Sequence, residues 1–204
     1  MAVGHRPARG GRRAAVVGAG RLTSVSGISG FPDAVIVADE AQVRQAYERI
    51  SAELQPIVFS ADCVLLGIMM GGLMPTARIA SLLSGDFAMD YCQVSRYRGG
   101  LRGGALEWLQ PPRIELAGRT VLLVDDIFDE GITLEYVVDA CRHLGAARVV
   151  STVLVRKRHQ RMAGRSLPDL VGLTVDDRYV FGCGMDYQHR WRHLPAIYAL
   201  REDV

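Results

Sequence analysis

The chain contains three mainly apolar runs, at Cys63–Met69, Thr120–Val124 and Val149–Val155. Runs of this length are typical of strands that are covered on both faces, as in a parallel sheet. A further strand is predicted within Phe87–Tyr97. Shorter strands are predicted near the C-terminal end, around Val171–Leu173, Tyr179–Gly182 and Ala196–Leu200.

Helical periodicity separates these runs. After the acidic start Asp39-Glu40, apolar residues recur every three or four positions as far as Leu54, and we expect this helix to end before Pro56. Two more helices are predicted at Pro75–Leu83 and Thr133–Leu144. Strands that alternate with helices favour an α/β fold, in which a mostly parallel, twisted sheet is flanked by helices.

The length of 204 residues suits one main domain with a small subdomain. Residues 1–32 contain five arginines and no acidic residue, which leaves 19 of the 24 Lys and Arg to balance 22 Asp and Glu in the rest of the chain. We expect residues 1–22 to be a basic, disordered arm and residues 23–204 to be one domain. The body is slightly acidic, so its charge does not indicate a nucleic-acid-binding surface.

Targeting and membrane signals are weak. Arg12-Arg13 before the short apolar run Ala14–Ala19 faintly resembles a twin-arginine export signal, but the run ends at Arg21. No apolar run approaches the roughly 18–20 residues that a membrane span needs. Four cysteines lie far apart with no C-x-x-C pair and are predicted to be reduced core thiols. We therefore expect a cytoplasmic protein.

The segment after the second apolar run carries the most specific chemistry. Asp125 and Asp126 directly follow a predicted strand, and Asp129 precedes a turn at Gly131 that opens a helix. Ligands of open α/β sheets bind at this end of the strands. The free N–H groups of a helix N-terminus suit a phosphate, and paired carboxylates suit ribose hydroxyls or hydrated Mg²⁺. The alternative is a solvated turn with a helix cap.

The segment Val121–Thr133 resembles the phosphoribosyl pyrophosphate signature of type I phosphoribosyltransferases. In that signature two acids follow four apolar residues, and an Asp-x-Gly-x-Thr turn comes next. The resemblance extends from about residue 36 to residue 201 and is specifically to hypoxanthine-guanine phosphoribosyltransferases. It is carried in the C-terminal half by Pro168–Gly172, Tyr179–Gly182, Gly184–Tyr187 and Arg192.

This resemblance implies the type I phosphoribosyltransferase fold, with a hood formed by the N- and C-terminal segments. It also implies purine salvage, in which a 5-phosphoribosyl group passes from phosphoribosyl pyrophosphate to hypoxanthine or guanine, giving IMP or GMP and pyrophosphate. Mg²⁺ would be the cofactor. The protein would be a homodimer or homotetramer with no membrane or nucleic-acid partner.

Residue roles follow from the same resemblance. Asp129 would be the general base that takes the purine N7 proton. Lys157 would donate to the 6-oxo group, Tyr179 would stack on the ring, and the Val180 carbonyl would read the base edge. Asp186 would lie beside the purine and bind Mg²⁺.

The phosphoribosyl pyrophosphate site would have three parts. Asp125 and Asp126 would face the ribose hydroxyls and Mg²⁺. The 5-phosphate would be bound by Glu130, Gly131, Ile132 and Thr133. The pyrophosphate would be bound by Arg192 and by the backbone of Gly71 and Gly72.

Two departures from the family pattern lie next to this site. A lysine that relatives often have in the pyrophosphate loop is Met70 here. In the mobile loop, relatives often have Ser-Tyr where this chain has Arg96-Tyr97. Arg96, Arg98 and Arg102 are candidates to supply the missing positive charge, and the loop from Tyr97 to Gly104 would close over the site to exclude water.

Several alternatives remain open at the level of sequence. Lys157 is one of several cations and could simply be solvated, Tyr179 could be a core aromatic, and Asp129 could only cap the next helix. His189 and His193, four apart, could mimic a metal pair. A different class of function is a regulator that keeps this fold and binds nucleic acid, which the basic arm and the basic segment Arg156–Arg165 suggest.

Overall fold

The apolar runs form the centre of a seven-stranded sheet in the computed structural model, which describes residues 15–16, 31–96, 106–159, 161 and 165–201. Its strand order is β1-β8-β7-β6-β3-β4-β5. The strands are β1 (Ala15–Val16), β3 (Cys63–Met69), β4 (Phe87–Arg96), β5 (Leu106–Gln110), β6 (Thr120–Phe128), β7 (Arg148–Arg158) and β8 (Leu170–Asp176), with β2 (Ala34–Ala38) in a second sheet.

Three helices cover this sheet, α1 (Glu40–Ser60), α2 (Leu73–Leu82) and α3 (Ile132–His143). The central strand β6 lies between β3 and β7, and its neighbours run parallel to it. Only the edge strand β5 pairs antiparallel among the described strands of this sheet. The prediction of a mostly parallel sheet flanked by helices is therefore confirmed.

Successive side chains of β6 point to opposite faces of the sheet and pack into two separate hydrophobic cores. Leu122 and Val124 pack with residues of α1 and α2, whereas Val121 and Leu123 pack with residues of α3. All four side chains are fully buried. Because both faces of the strand are covered, no polar residue alternates into the run, which is why its sequence is continuously apolar.

A second, three-stranded antiparallel sheet has the order β2-β10-β9, where β9 is Val180–Phe181 and β10 is Ile197–Leu200. It joins a strand from before α1 to two strands from the C-terminal end. Phe31 packs against Phe181 and Tyr198 with ring centroids 5.7 and 5.3 Å apart. These are the segments expected to form a hood, and that role stays a prediction.

Helix α1 does not end before Pro56, so this expectation was wrong. The helix begins at a capping box in which Asp39 accepts from the Gln42 N–H at 2.8 Å, and it continues through Pro56 to Ser60. Pro56 and Ala52, whose carbonyl loses its helical donor, are both exposed. Water can satisfy that carbonyl, while Val58 continues the buried stripe.

The basic segment predicted as a loop from Arg156 is also partly strand. Residues Arg156–Arg158 extend β7 and pair with Thr174, Val175 and Asp176 of β8. This extension places Lys157 within the sheet. The strand β1 lies within the segment expected to be a disordered arm, and it pairs parallel with Leu173 and Thr174.

Two smaller expectations concern thiols and membranes. The four cysteines are free and buried, as predicted. None of the helices among the described residues combines the length and the hydropathy that a membrane span needs.

The packing of α1 leads to a first prediction. Leu54 is fully buried between α1 and the sheet, so Leu54→Ala should lower the free energy of unfolding by about 2–5 kcal/mol. The adjacent, exposed Glu53→Ala should change it by less than about 0.5 kcal/mol. Urea denaturation followed by circular dichroism measures both. Equal stability of the Leu54→Ala variant and the parent chain would contradict this packing.

Candidate active site

The carboxyl end of β6 carries two aspartates inside a polar cleft. Asp125 and Asp126 are each 8% exposed, and the Asp126 N–H donates to Asp125 Oδ1 at 2.9 Å. Burial raises the pKa of Asp125 well above 3.8, and the neighbouring Asp126 carboxylate raises it further. Burial also raises the pKa of Asp126, although Asp125 and Arg192 partly oppose it.

The loop after β3 lies directly against these acids. A Cβ atom on Gly71 would be 2.2 Å from Asp126 Oδ2, so only glycine lets this backbone approach the carboxylate. A Cβ atom on Gly72 would be 2.6 Å from the Ile68 carbonyl oxygen. The next residue back, Met70, is half exposed and supplies no charge.

The turn after β6 prepares the N-terminus of α3. Gly131 has φ 78° and is the N-cap residue, and a Cβ atom there would be 2.6 Å from the Phe128 ring. No side chain caps the helix. The N-cap is Gly131 and not Asp129, so the alternative that Asp129 only caps this helix is wrong. Ile132 and Thr133, in the first turn of α3, line the cleft.

Asp129 instead binds three donors from the end of β7 and the turn after it. Lys157 Nζ lies 2.8 Å from Asp129 Oδ2, while His159 Nε2 and Arg161 Nη2 lie 2.6 and 3.0 Å from Oδ1. The Lys157 side chain is only 13% exposed, so the alternative of a solvated lysine is wrong. Arg161 also binds Asp177.

These donors determine the ionisation of Asp129. Burial by itself raises its pKa, but hydrogen bonds from Lys157, His159 and Arg161 outweigh that effect and lower the pKa from 3.8 to about 2. Asp129 is consequently an ionised carboxylate at any pH near neutrality. Its ability to accept a proton depends on losing at least one of these donors.

The C-terminal segment supplies the opposite wall. Arg192 Nη2 donates to Asp186 Oδ1 at 2.5 Å and Nη1 donates to the Gly184 carbonyl at 2.6 Å, and Nη1 also lies 3.8 Å from Asp126 Oδ2. The guanidinium thus bridges two of the acids assigned to Mg²⁺. Tyr179 is half exposed and donates to the Asp186 carbonyl at 3.1 Å, so it is not a core aromatic.

The cleft between these walls has a volume of about 580 Å³. Its lining combines the two aspartates of β6, the turn before α3, the loop after β3 and the C-terminal wall. The residues assigned from sequence that line it are Gly71, Asp125, Asp126, Asp129, Glu130, Gly131, Ile132, Thr133, Asp186 and Arg192.

Four other assigned residues do not line this cleft, namely Gly72, Lys157, Tyr179 and Val180. Val180 is buried in β9. Arg96 ends β4, and its side chain, Tyr97 and the loop to Gly104 lie outside the described residues. His189 and His193 do not belong to the group of metal-ligand side chains that the described residues bring within 4.8 Å.

That group is Asp129, His159 and Asp177. Lys157 and Arg161 already bind its two carboxylates, which disfavours a metal ion there. His159, Arg161 and Asp177 are neighbours of the site that the sequence did not predict. The sequence contains one signal for two of them, because His159 and Arg161 follow Lys157 by two and four positions.

Four cations of the basic segment are paired with carboxylates within the fold. Lys157 binds Asp129, Arg158 binds Asp176 at 2.5 Å, Arg161 binds Asp177, and Arg165 binds Glu135 of α3. Pairing of this kind reduces the positive charge that these side chains offer to the phosphates of a nucleic acid. The segment contributes its charges to the site and its surroundings instead.

Comparison with known proteins agrees with this geometry. Residues 37–189 match the family model described as the phosphoribosyl transferase domain. The hypoxanthine-guanine phosphoribosyltransferase of Streptococcus pneumoniae is 29% identical over 170 residues, which cover 83% of this chain and 94% of that protein. The Bacillus subtilis enzyme of the same name is 28% identical over 170 residues, with the same coverage.

Solved structures give the same result. A hypoxanthine phosphoribosyltransferase from Trypanosoma cruzi, in a ternary substrates complex, has a TM-score of 0.75 and 26% identity and covers 84% of this chain and 96% of its own. One from Staphylococcus aureus has a TM-score of 0.76 at 23% identity and covers 81% of this chain and 90% of its own, which supports the fold.

The buried aspartate pair leads to a prediction about stability. The pKa of Asp125 is higher in the folded state than in the unfolded state, so its ionisation costs the folded state free energy above the folded pKa, and this cost disappears below 3.8. Asp125→Asn cannot ionise and can still accept the Asp126 N–H. Without substrate and with a chelator, it should be more stable than the parent chain at pH 7, because the folded state no longer holds this buried charge.

Thermal unfolding between pH 7 and pH 4 measures this difference, which should narrow as the pH falls. Asp86→Asn makes the same charge change at an exposed position and should show no such pH dependence. An Asp125→Asn variant that is less stable than the parent chain at pH 7 would show that the buried carboxylate is not a cost to the fold.

Proposed function

Because the chain belongs to the phosphoribosyl transferase family, we propose that it performs the purine reaction of that family. It transfers the 5-phosphoribosyl group from phosphoribosyl pyrophosphate to hypoxanthine or guanine, giving IMP or GMP and pyrophosphate in purine salvage. The observation that carries this proposal is the Lys157–Asp129 pair, 2.8 Å apart, beside the turn that opens α3. A 6-oxopurine presents an acceptor and a proton that suit this pair.

The phosphoribosyl pyrophosphate site begins at the turn before α3. In our proposal, backbone N–H groups of Glu130 to Thr133 bind the 5-phosphate, and the helix dipole favours its negative charge. Glu130 contributes its backbone only, because a carboxylate repels phosphate. The Thr133 hydroxyl is a further donor.

The ribose and pyrophosphate would lie along the aspartates and the loop after β3. Asp125 and Asp126 accept from ribose hydroxyls, and Arg192 donates to the pyrophosphate after leaving Asp186. The backbone of Gly71 and Gly72 lies close enough to contribute its polar groups. Met70 stands where relatives often have a lysine, so Arg192 is the main positive charge that the described residues offer to the pyrophosphate.

The same acids fit Mg²⁺. Two buried carboxylates with raised pKa values offer hard oxygen ligands at the edge of the cleft, and Asp186 lies across Arg192 from them. When bound, Mg²⁺ supplies positive charge that stabilises the leaving pyrophosphate. Asp125, Asp126 and Asp186 would hold it.

Purine binding would rearrange the Asp129 network. Lys157 moves from Asp129 Oδ2 to the 6-oxo group, Tyr179 stacks on the ring, and the Val180 carbonyl contacts the base edge. Asp129 then loses one of three donors and becomes a better proton acceptor. The bound purine thus activates its own general base.

Chemistry would proceed by displacement at the anomeric carbon. N9 donates its electron pair to C1 of the ribose as the bond from C1 to the pyrophosphate oxygen breaks, through a transition state with oxocarbenium character. Positive charge develops on the purine, and the N7 proton passes to Asp129. The positively charged Arg192 stabilises the negative charge that develops on the pyrophosphate.

The setting of the enzyme is also part of the proposal. We expect it to act in the cytoplasm as a homodimer or homotetramer. The nucleic-acid-binding alternative is not favoured, because three arginines of the basic segment that suggested it are paired with carboxylates. The basic arm that also suggested it lies outside the described residues, apart from residues 15–16.

Substitution of Asp129 tests the mechanism. Asp129→Asn keeps the size of the side chain but removes the basic oxygen, so turnover should fall by about 10²–10⁴-fold. Phosphoribosyl pyrophosphate affinity should change little, because that ligand is bound by other groups. Steady-state kinetics and calorimetric titration measure the two effects. Unchanged turnover at saturating substrates would exclude Asp129 as the general base.

A purine panel with phosphoribosyl pyrophosphate and Mg²⁺ tests the function itself. Lys157 cannot accept from an exocyclic amine, so kcat/KM for adenine should be at least about 10²-fold below that for hypoxanthine or guanine. Lys157→Gln, which can donate or accept, should narrow that ratio. Arg158→Gln, at the exposed neighbour that binds Asp176, should leave it unchanged.

Two results of this panel would count against the proposal. Adenine turnover equal to that of hypoxanthine would show that Lys157 does not read the 6-position. If no 6-oxopurine were turned over, the proposed function itself would fail.

A further inference from the structure

His159 lies beside the proposed general base and has no role in the assignments above. It follows β7 directly, and its side chain is 6% exposed. Its Nε2 atom lies 2.6 Å from Asp129 Oδ1. A nearly buried imidazole this close to the proton acceptor of the reaction requires a physical account of its protonation and its purpose.

The backbone determines the tautomer of His159. The Arg161 N–H donates to His159 Nδ1 at 3.1 Å. A backbone N–H can only donate, so Nδ1 must carry a lone pair, and the ring proton lies on Nε2. Nε2 is therefore the donor in the contact with Asp129, and the ring is held from both sides.

The two oxygens of Asp129 have different donors. Oδ2 accepts from Lys157, whereas Oδ1 accepts from His159 and from Arg161. In the proposed reaction, Lys157 leaves for the purine 6-oxo group. The oxygen that becomes free is then Oδ2, while Oδ1 keeps its donors. Arg161 is half exposed and shared with Asp177, so His159 is the more rigid of the two.

We infer that His159 is a positioning residue, which holds Asp129 by Oδ1 so that Oδ2 faces the purine N7. This inference rests on the proposed function. One proton moves in the step, from N7 to Asp129 Oδ2, and His159 keeps its own proton on Nε2. His159 does not touch the substrate, and its effect on the reaction passes entirely through the orientation of the carboxylate.

The first arm of the test compares two substitutions. His159→Leu removes the donor, so kcat should fall by about 10-fold to 100-fold, the usual cost of a misplaced catalytic group. The KM for phosphoribosyl pyrophosphate should change little, because that ligand does not contact Asp129. His159→Gln retains a donor at its side-chain Nε2 and should recover most of the loss. The exposed His143→Leu is the matched control and should leave kcat unchanged.

A double-mutant cycle separates positioning from a general structural effect. In the Asp129→Asn background, adding His159→Leu should change kcat by less than about 2-fold, because the group through which His159 acts is already absent. Multiplicative losses in the double variant would show that His159 acts by another route. An unchanged kcat in His159→Leu alone, with an active parent enzyme, would also overturn the inference.

Nuclear magnetic resonance of the parent protein, labelled with ¹⁵N in its imidazole rings, tests the arrangement without turnover or substitution. His159 should show a protonated Nε2 and an unprotonated Nδ1 at neutral pH. The opposite tautomer would overturn the inference even if purine turnover were intact. A parent enzyme that turns over no 6-oxopurine would instead refute the proposed function, and the inference with it.

Discussion

Three carboxylates crowded at the carboxyl end of β6 are the constraint on which the rest of the site depends. Asp125 and Asp126 are nearly buried, and Asp129 follows three residues later. Charges in such a place are costly unless they are paired. The chain brings the necessary cations from distant segments, Arg192 from the C-terminal wall and Lys157 from β7. The pairing therefore connects β6 to its neighbouring strand β7 and to the C-terminal segment between β9 and β10.

These pairings also suit a site that must exchange partners. Before substrate binds, Arg192 binds Asp186, and Lys157 binds Asp129. In the proposed reaction, a pyrophosphate would compete with the first carboxylate and a 6-oxopurine with the second, so each substrate group would take over a cation that the fold has already positioned. Preorganised charges of this kind stabilise a transition state without being assembled during the reaction. Under this proposal, substrate binding would leave Asp129 less stabilised as an anion, at the point where a proton acceptor is needed.

Much of this arrangement could be predicted from the sequence, because the responsible signals are local. Apolar runs specify buried strands, and the acids and the glycine turn lie within ten residues of each other. The continuation of α1 through Pro56 was missed because it depends on which face of the helix meets solvent. The extension of β7 to Arg158 was missed because Arg156–Arg158 are basic and carry no apolar pattern typical of a strand. Their strand conformation depends on pairing with β8. His159 was missed for a related reason, since its role comes from contact with Asp129, thirty residues away in the chain.

The central claim is that Lys157 exchanges its contact with Asp129 for one with the purine. A crystal structure of the protein with phosphoribosyl pyrophosphate, Mg²⁺ and an unreactive 6-oxopurine analogue tests it most directly. The account predicts that Lys157 Nζ lies within hydrogen-bonding distance of the 6-oxo oxygen and that Asp129 Oδ2 faces N7. A bound purine with Lys157 Nζ still about 2.8 Å from Asp129 Oδ2, as in the unliganded protein, would contradict the account.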